Sequence, residues 1–271
     1  MRRTIRSGSV IERSQFFVGE RKPRRDRRKG NSTMAKKDAN MKTAVRCLAR
    51  VLNCNFHKGD LLITLTYDDE HLGKCAETPE QAEQTVWKFI RRLSYALGKL
   101  GADLKTVWIT ADKDEKSGRY VRLHHHLVVS GENFTIERQD GVITNVLVGK
   151  KPLRKMWGNG FVNVEPLAEQ PDYTPIANYF VRQAVNGTDT KKWHSTRNME
   201  KPIIESEIVT VSPSELRAPG GATVLEVGPY DIENGSHYIR YIRKARNEKT
   251  EESGPAGMLP VREERQRGPA G

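Results

Sequence analysis

Lys105-Thr-Val-Trp-Ile-Thr-Ala-Asp112, Lys113-Asp-Glu-Lys-Ser-Gly118 and Val121-Arg-Leu-His-His-His-Leu-Val-Val-Ser130 decide the fold class. Two runs of strand-forming residues flank a short polar segment. A connection this short joins antiparallel neighbours, because a parallel pair needs a crossover of a dozen residues or more. The stretch therefore reads as a hairpin, and a doubly wound parallel sheet is disfavoured. Upstream, Leu61-Leu-Ile-Thr-Leu-Thr-Tyr67 reads as another strand. Leu61, Ile63, Leu65 and Tyr67 share one face, and Thr64 and Thr66 the other. Thr78-Pro79-Glu80-Gln81 is an N-cap, a first-turn proline and a capping-box glutamine. The helix it opens carries Val86, Phe89, Ile90, Leu93 and Leu97 and stops near Gly98 or Gly101. Residues 40–52 are helical in period, with Val45, Leu48 and Leu52 on one side. Downstream come a short helix near Pro152–Trp157, a strand at 161–165, a helix at about 175–185 and strand-like pieces within 205–227. The order predicts an α+β fold, an antiparallel sheet with helices packed on it.

The chain has 271 residues and a formal net charge of +12, an excess that points to a polyanionic partner. Residues 1–38 read as a basic disordered arm, densest at Arg21-Lys-Pro-Arg-Arg-Asp-Arg-Arg-Lys29, which either settles on DNA phosphates or only aids solubility. Residues 39–244 read as the folded domain and 245–271 as a disordered charged tail. Cys47, Cys54 and Cys75 have no zinc spacing and read as reduced thiols of a cytoplasmic protein. No apolar run is long enough for a membrane span, so no membrane partner is expected.

Alternation divides the histidine strand. His125 falls among Val121, Leu123, Leu127 and Val129, whereas Arg122, His124 and His126 share the opposite face. Two imidazoles two residues apart on a strand can aim at one point, the start of a metal or phosphate site. An accidental histidine tract is the plainer alternative. The strand before it places Asp112 with Thr106, Trp108 and Thr110, and Asp112 is the first candidate for a third ligand. Asp114, Glu115 and Glu165 follow it.

Thr174-Pro175 reads as an N-cap and first residue, and Asn186-Gly187 as the end of that helix. Ile176, Ala177, Phe180, Val181, Ala184 and Val185 form its apolar stripe, with Asn178, Tyr179, Arg182, Gln183 and Asn186 opposite. Arg182 lies three residues after Tyr179 and so beside it. A phenol on the polar face next to a cation suits attack on a phosphate; an exposed tyrosine under a loop is the bland reading. Tyr173 is the competing nucleophile, in a position better suited to a hydrophobic staple.

With these segments placed, the chain resembles rolling-circle replication initiators of phages, plasmids and integrative elements, a branch of the HUH endonucleases. Leu62-Ile-Thr-Leu-Thr-Tyr67 resembles their first motif, Leu123-His-His-His-Leu127 their metal motif and Ile176-Ala-Asn-Tyr-Phe-Val-Arg182 their tyrosine motif. Lys192-Trp-His-Ser-Thr-Arg-Asn-Met-Glu-Lys-Pro202 resembles the segment that follows the tyrosine helix in many members. The middle metal-motif position, usually bulky and apolar, is His125, and the usual lysine after the tyrosine is Arg182. The resemblance implies an HUH, ferredoxin-like nuclease fold at 39–244 that nicks and rejoins single-stranded or hairpin origin DNA. Tyr179 would form a 5′-phosphotyrosine link, with Arg182 steadying the phosphate. His124, His126 and an acidic partner would hold Mn²⁺ or Mg²⁺. Trp193, Arg197, Asn198 and Arg122 are the candidate DNA contacts. It also implies a bacterial host cytoplasm and admits a host or element helicase as partner. The rival classes are a non-catalytic binder of this type and a histidine-based phosphodiesterase.

Overall fold

The computed structural model describes residues 1–18, 34–114, 117–185, 192–209, 215–231 and 235–243. Its strands are β1 (Arg2–Ser7), β2 (Val10–Gln15), β3 (Leu61–Thr66), β4 (Thr106–Lys113), β5 (Tyr120–Val129), β6 (Phe134–Gln139), β7 (Val142–Val148), β8 (Lys151–Pro152), β9 (Val162–Pro166), β10 (His194–Ser195), β11 (Ile203–Glu207), β12 (Thr223–Val227) and β13 (His237–Ile242). Its helices are α1 (Met34–Asn55), α2 (Asp69–Cys75), α3 (Pro79–Gly98), α4 (Leu153–Trp157) and α5 (Thr174–Gln183). The architecture is α+β with antiparallel sheets, as the hairpin at 105–130 predicts.

The central sheet runs β10-β4-β5-β3-β9, and its strand pairs are antiparallel. Alternation gives it two apolar faces. On one, Leu61, Ile63, Leu65, Trp108 and Leu127 meet Phe89 and Leu93 of α3 and Trp157 of α4. The capping box of Thr78 and Gln81 that starts α3 is formed. On the other face, Val107, Ile109 and Val128 meet Leu48 and Leu52 of α1 and Phe180 and Val181 of α5. Leu48 and Phe180 are fully buried, and each such side chain contributes on the order of 1.5–3 kcal/mol. The sheet is thus a filled layer, and polar groups within it need partners of their own.

A second sheet, β11-β1-β2-β13-β12, joins the two ends of the chain. This corrects the expected arm, because residues 2–15 are strands. Their arginines hid a β pattern in which Ile5 and Val10 are buried. Arg2 and Arg6 face Glu207 and Glu205 across the sheet, partners about two hundred positions away that local charge counting misses. Glu12, 4% exposed, is held by Arg50 through bonds of 2.7 and 2.6 Å and by the Tyr238 hydroxyl at 3.0 Å. The run Arg21–Lys29 and the tail at 245–271 lie outside the described residues.

Residues 134–148, unassigned from sequence, form a hairpin of β6 and β7 around Asp140-Gly141. Asp-Gly between alternating runs is the signal that was there to be used. After α4, Gly160 lets the chain pass close under β3. A Cβ there would lie 2.5 Å from the Thr66 carbonyl oxygen, at φ +149, so a side chain at this position would displace the loop. No helix of the described residues is long and apolar enough to cross a membrane.

Candidate active site

The β5 register separates the three histidines. Thr66 and Ala111 oppose His124, and Thr64 and Ile109 oppose His126. Ile109 and Ala111 pack with α1 and α5, so His124 and His126 face those helices. His125 points into the other core, where it is completely buried. Its Nε2 lies 2.7 Å from the Tyr67 hydroxyl and its Nδ1 3.2 Å from Thr110 Oγ1. The middle histidine is therefore a core residue satisfied by two hydroxyls.

On the α5 side the rings converge. His124 Nε2 and His126 Nε2 are 3.1 Å apart, and the Tyr179 hydroxyl is 3.3 Å from His126 Nε2. His124 Nδ1 is 2.9 Å from the Arg122 carbonyl oxygen. A carbonyl only accepts, so Nδ1 carries the proton and the neutral ring's Nε2 lone pair faces the site. His126 Nδ1 is 3.0 Å from Thr64 Oγ1. A hydroxyl can donate or accept, so this threonine permits either His126 tautomer. The His126 ring also stacks on Phe180, with centroids 5.8 Å apart.

Burial first, and then the neighbouring His124, pushes the His126 pKa down to about 3. Burial likewise pushes His125 to about 3, with His124 and His126 adding to it. Both rings thus stay neutral at physiological pH, the form that binds metal. The linkage has a definite sign. Their folded-state values lie below the unfolded 6.5, so the unfolded chain takes up more protons between pH 6.5 and 3, and stability falls as pH drops through that window. At pH 5 each buried ring costs about 2 kcal/mol. Urea midpoints at pH 7.5 and 5 should show this loss. A His125→Gln variant, weaker at neutral pH, should show roughly half of it.

Helix α5 places Tyr179 differently from its rival. Tyr173 is 4% exposed and packed in the core, whereas Tyr179 is half-buried with its hydroxyl at the imidazoles. The helix start differs from expectation: Asp172, not Thr174, supplies the cap, accepting from the Thr174 N–H and hydroxyl. The helix is regular to Gln183, and Asn186-Gly187 falls outside the described residues. Arg182 is exposed and makes no ion pair among the described residues.

Gln183 is a correction. Expected on the solvent side, it is 3% exposed. It donates to the Tyr179 carbonyl oxygen at 3.4 Å, and its amide approaches His126, favouring the protonated ring weakly against burial. Its position one turn after Tyr179 was the available signal. Asp112 is a second correction. It follows Thr110, which bonds His125, so alternation turns it to the other face. There it acts on Lys192, opposing the burial that lowers that lysine's pKa. Among the described residues, no group of three His, Cys, Asp or Glu side chains could hold a metal. Asp114 caps the hairpin loop through Ser117, and Glu115 lies outside the described residues. Glu165 lies opposite Leu62 on β9, two strands from the histidines, and is bonded to Asn163.

The expected DNA contacts divide into two places. Arg122 is tied to Asp69 at 2.5 Å and to the Tyr67 carbonyl oxygen. Trp193, Arg197 and Asn198 line a cavity of about 1010 Å³ at the β10 edge, with Trp87, Arg91 and Trp108 in its wall. The Trp108 indole N–H is buried without an acceptor among the described residues. Asn198 also donates to the Leu104 carbonyl oxygen. The cavity thus combines aromatic walls with cations, the mixture that holds unpaired nucleotides.

Residues 60–184 match the model of the replication-associated protein ORF2 family. The match runs from the start of β3 to the end of α5 and so contains the histidines and Tyr179. No curated protein and no solved structure matches the chain.

Proposed function

We propose, on the premise that residues 60–184 are a replication-associated domain of the ORF2 family, that this protein nicks and rejoins single-stranded origin DNA through a covalent tyrosine link. The observation that supports it is the meeting of one phenol and two imidazole nitrogens, at 3.3 and 3.1 Å. Tyr179 attacks the scissile phosphorus, and its phenolic proton passes to solvent. The bond to the 3′ oxygen breaks, that oxygen takes up a proton, and a 5′-phosphotyrosine ester remains. The ester conserves the phosphodiester's bond energy, so the 3′-hydroxyl of a strand can reverse the step without ATP. Arg182, exposed on the last turn of α5, grips the nonbridging oxygens with a charge that persists at any working pH.

The residues present fit a divalent cation. Two nitrogen ligands at about 2.1 Å from an ion and at right angles to it sit about 3 Å apart, close to the spacing of the two Nε2 atoms. With both Nδ1 atoms protonated, two lone pairs face each other, an arrangement a cation stabilises. His124 and His126 would hold it, with Gln183 supplying an oxygen donor in place of Asp112. A bound Mn²⁺ or Mg²⁺ would polarise the scissile phosphate and stabilise the charge developing on it.

Titration calorimetry separates the two oxygen donors. Gln183→Ala should weaken Mn²⁺ binding roughly 10–100-fold, while Asp112→Ala leaves it unchanged; the reverse result would restore Asp112 as ligand. The function itself is tested with labelled single-stranded origin DNA and Mn²⁺ on a denaturing gel, where a band shifted by the mass of the protein is expected. Absence of that band across origin sequences would leave a binding protein without cutting activity.

A further inference from the structure

Helix α3 is a ridge between two cavities. Trp87 and Arg91 face the aromatic cavity at the β10 edge. The opposite flank, with α4 and the β7–β8 turn, encloses a second cleft of about 740 Å³. Arg92, Lys99, Lys150, Lys151 and Lys155 line it, and no aspartate or glutamate does. None of these five cations pairs with a carboxylate among the described residues; the Arg92 guanidinium donates only to the Trp157 carbonyl oxygen. Five unneutralised charges around one hollow repel one another, and a polyanion relieves that repulsion. The lining offers little to stack a base on. Trp157 is 1% exposed, and the Tyr95 ring is covered by the Lys99 ammonium, 4.6 Å from its centroid.

We infer that this cleft binds the phosphate backbone of double-stranded DNA, next to a catalytic centre that acts on a single strand. Charge without exposed aromatics reads phosphates, whereas single-strand sites add stacking platforms. The cleft is physically joined to that centre. The Trp157 indole donates to the Thr66 carbonyl oxygen at 2.9 Å, and Thr66 is the register partner of His124. A duplex held here, such as the stem of a hairpin, has its single-stranded end near the strand ends that carry the imidazoles. The inference rests on reading the chain as a DNA-processing protein, but its test needs no cutting.

The test uses the full chain in chelator, so that no nicking occurs, with fluorescence anisotropy on a 20-base-pair duplex of arbitrary sequence and on an oligothymidine of 20 nucleotides. A Lys150→Ala/Lys151→Ala/Lys155→Ala variant should bind the duplex on the order of 10-fold more weakly at 150 mM salt, and the slope of log K against log salt should become shallower by about 2 to 3. Oligothymidine binding should be unchanged, as should circular dichroism. A Lys37→Ala/Lys42→Ala/Lys58→Ala control removes equal charge elsewhere and should bind duplex like the parent. The inference is overturned if the cleft variant binds duplex normally, if the control loses as much, or if oligothymidine affinity falls in parallel. Failure of adduct formation by the parent chain would count against Tyr179 chemistry and leave this binding result standing.

Discussion

A Tyr179→Phe protein should form no covalent DNA adduct, its cleavage rate falling on the order of 10⁴-fold or more. The substitution removes one oxygen atom and leaves the ring where it is. That oxygen's bond among the described residues is to His126 Nε2, at 3.3 Å, so the fold should lose about 1 kcal/mol or less. Origin DNA should still bind, because the aromatic cavity and Arg182 are untouched. Tyr173→Phe is the matching control, since that side chain is buried in the core and should be silent in catalysis. A Tyr179→Phe protein that still forms adduct would transfer the nucleophile elsewhere and remove the main support for the reading.

The second large effect belongs to the imidazoles. A His124→Ala/His126→Ala variant should show no measurable Mn²⁺ binding and should cleave on the order of 10³-fold more slowly, since a metal supplies several kcal/mol of charge stabilisation. The middle histidine is the discriminating comparison. His125→Phe leaves the Tyr67 and Thr110 hydroxyls without their partner, a loss of about 1–3 kcal/mol in stability, yet it lies on the other face and should retain Mn²⁺ binding. If His125→Phe lost the metal and the double variant kept it, the assignment of faces would be wrong.

Much of this was legible in the residues. The polar loop at 113–118 forced an antiparallel pair, and two-residue alternation assigned His124 and His126 to one face and His125 to the other. The helix period turned Tyr179 out of the core stripe. What escaped has physical reasons. The strands at 2–15 were hidden because their arginines find carboxylates in β11, at the far end of the chain. Gln183 escaped because polarity was equated with solvent, whereas a site lined with imidazoles gives a buried amide its partners. Asp112 was carried on its charge, although its own strand placed it beside Thr110 and so behind the sheet from the imidazoles. Alternation there was the better guide than residue type.

The most direct measurement is peptide mapping of the adduct. The protein is incubated with a single-stranded oligonucleotide spanning the origin and Mn²⁺, digested with nuclease and trypsin, and sequenced by tandem mass spectrometry. The account predicts a 5′-nucleotide phosphate on Tyr179, formed with Mn²⁺ and missing in chelator. A nucleotide on Tyr173, on a histidine or on any other side chain, or an adduct that forms equally in chelator, would contradict it.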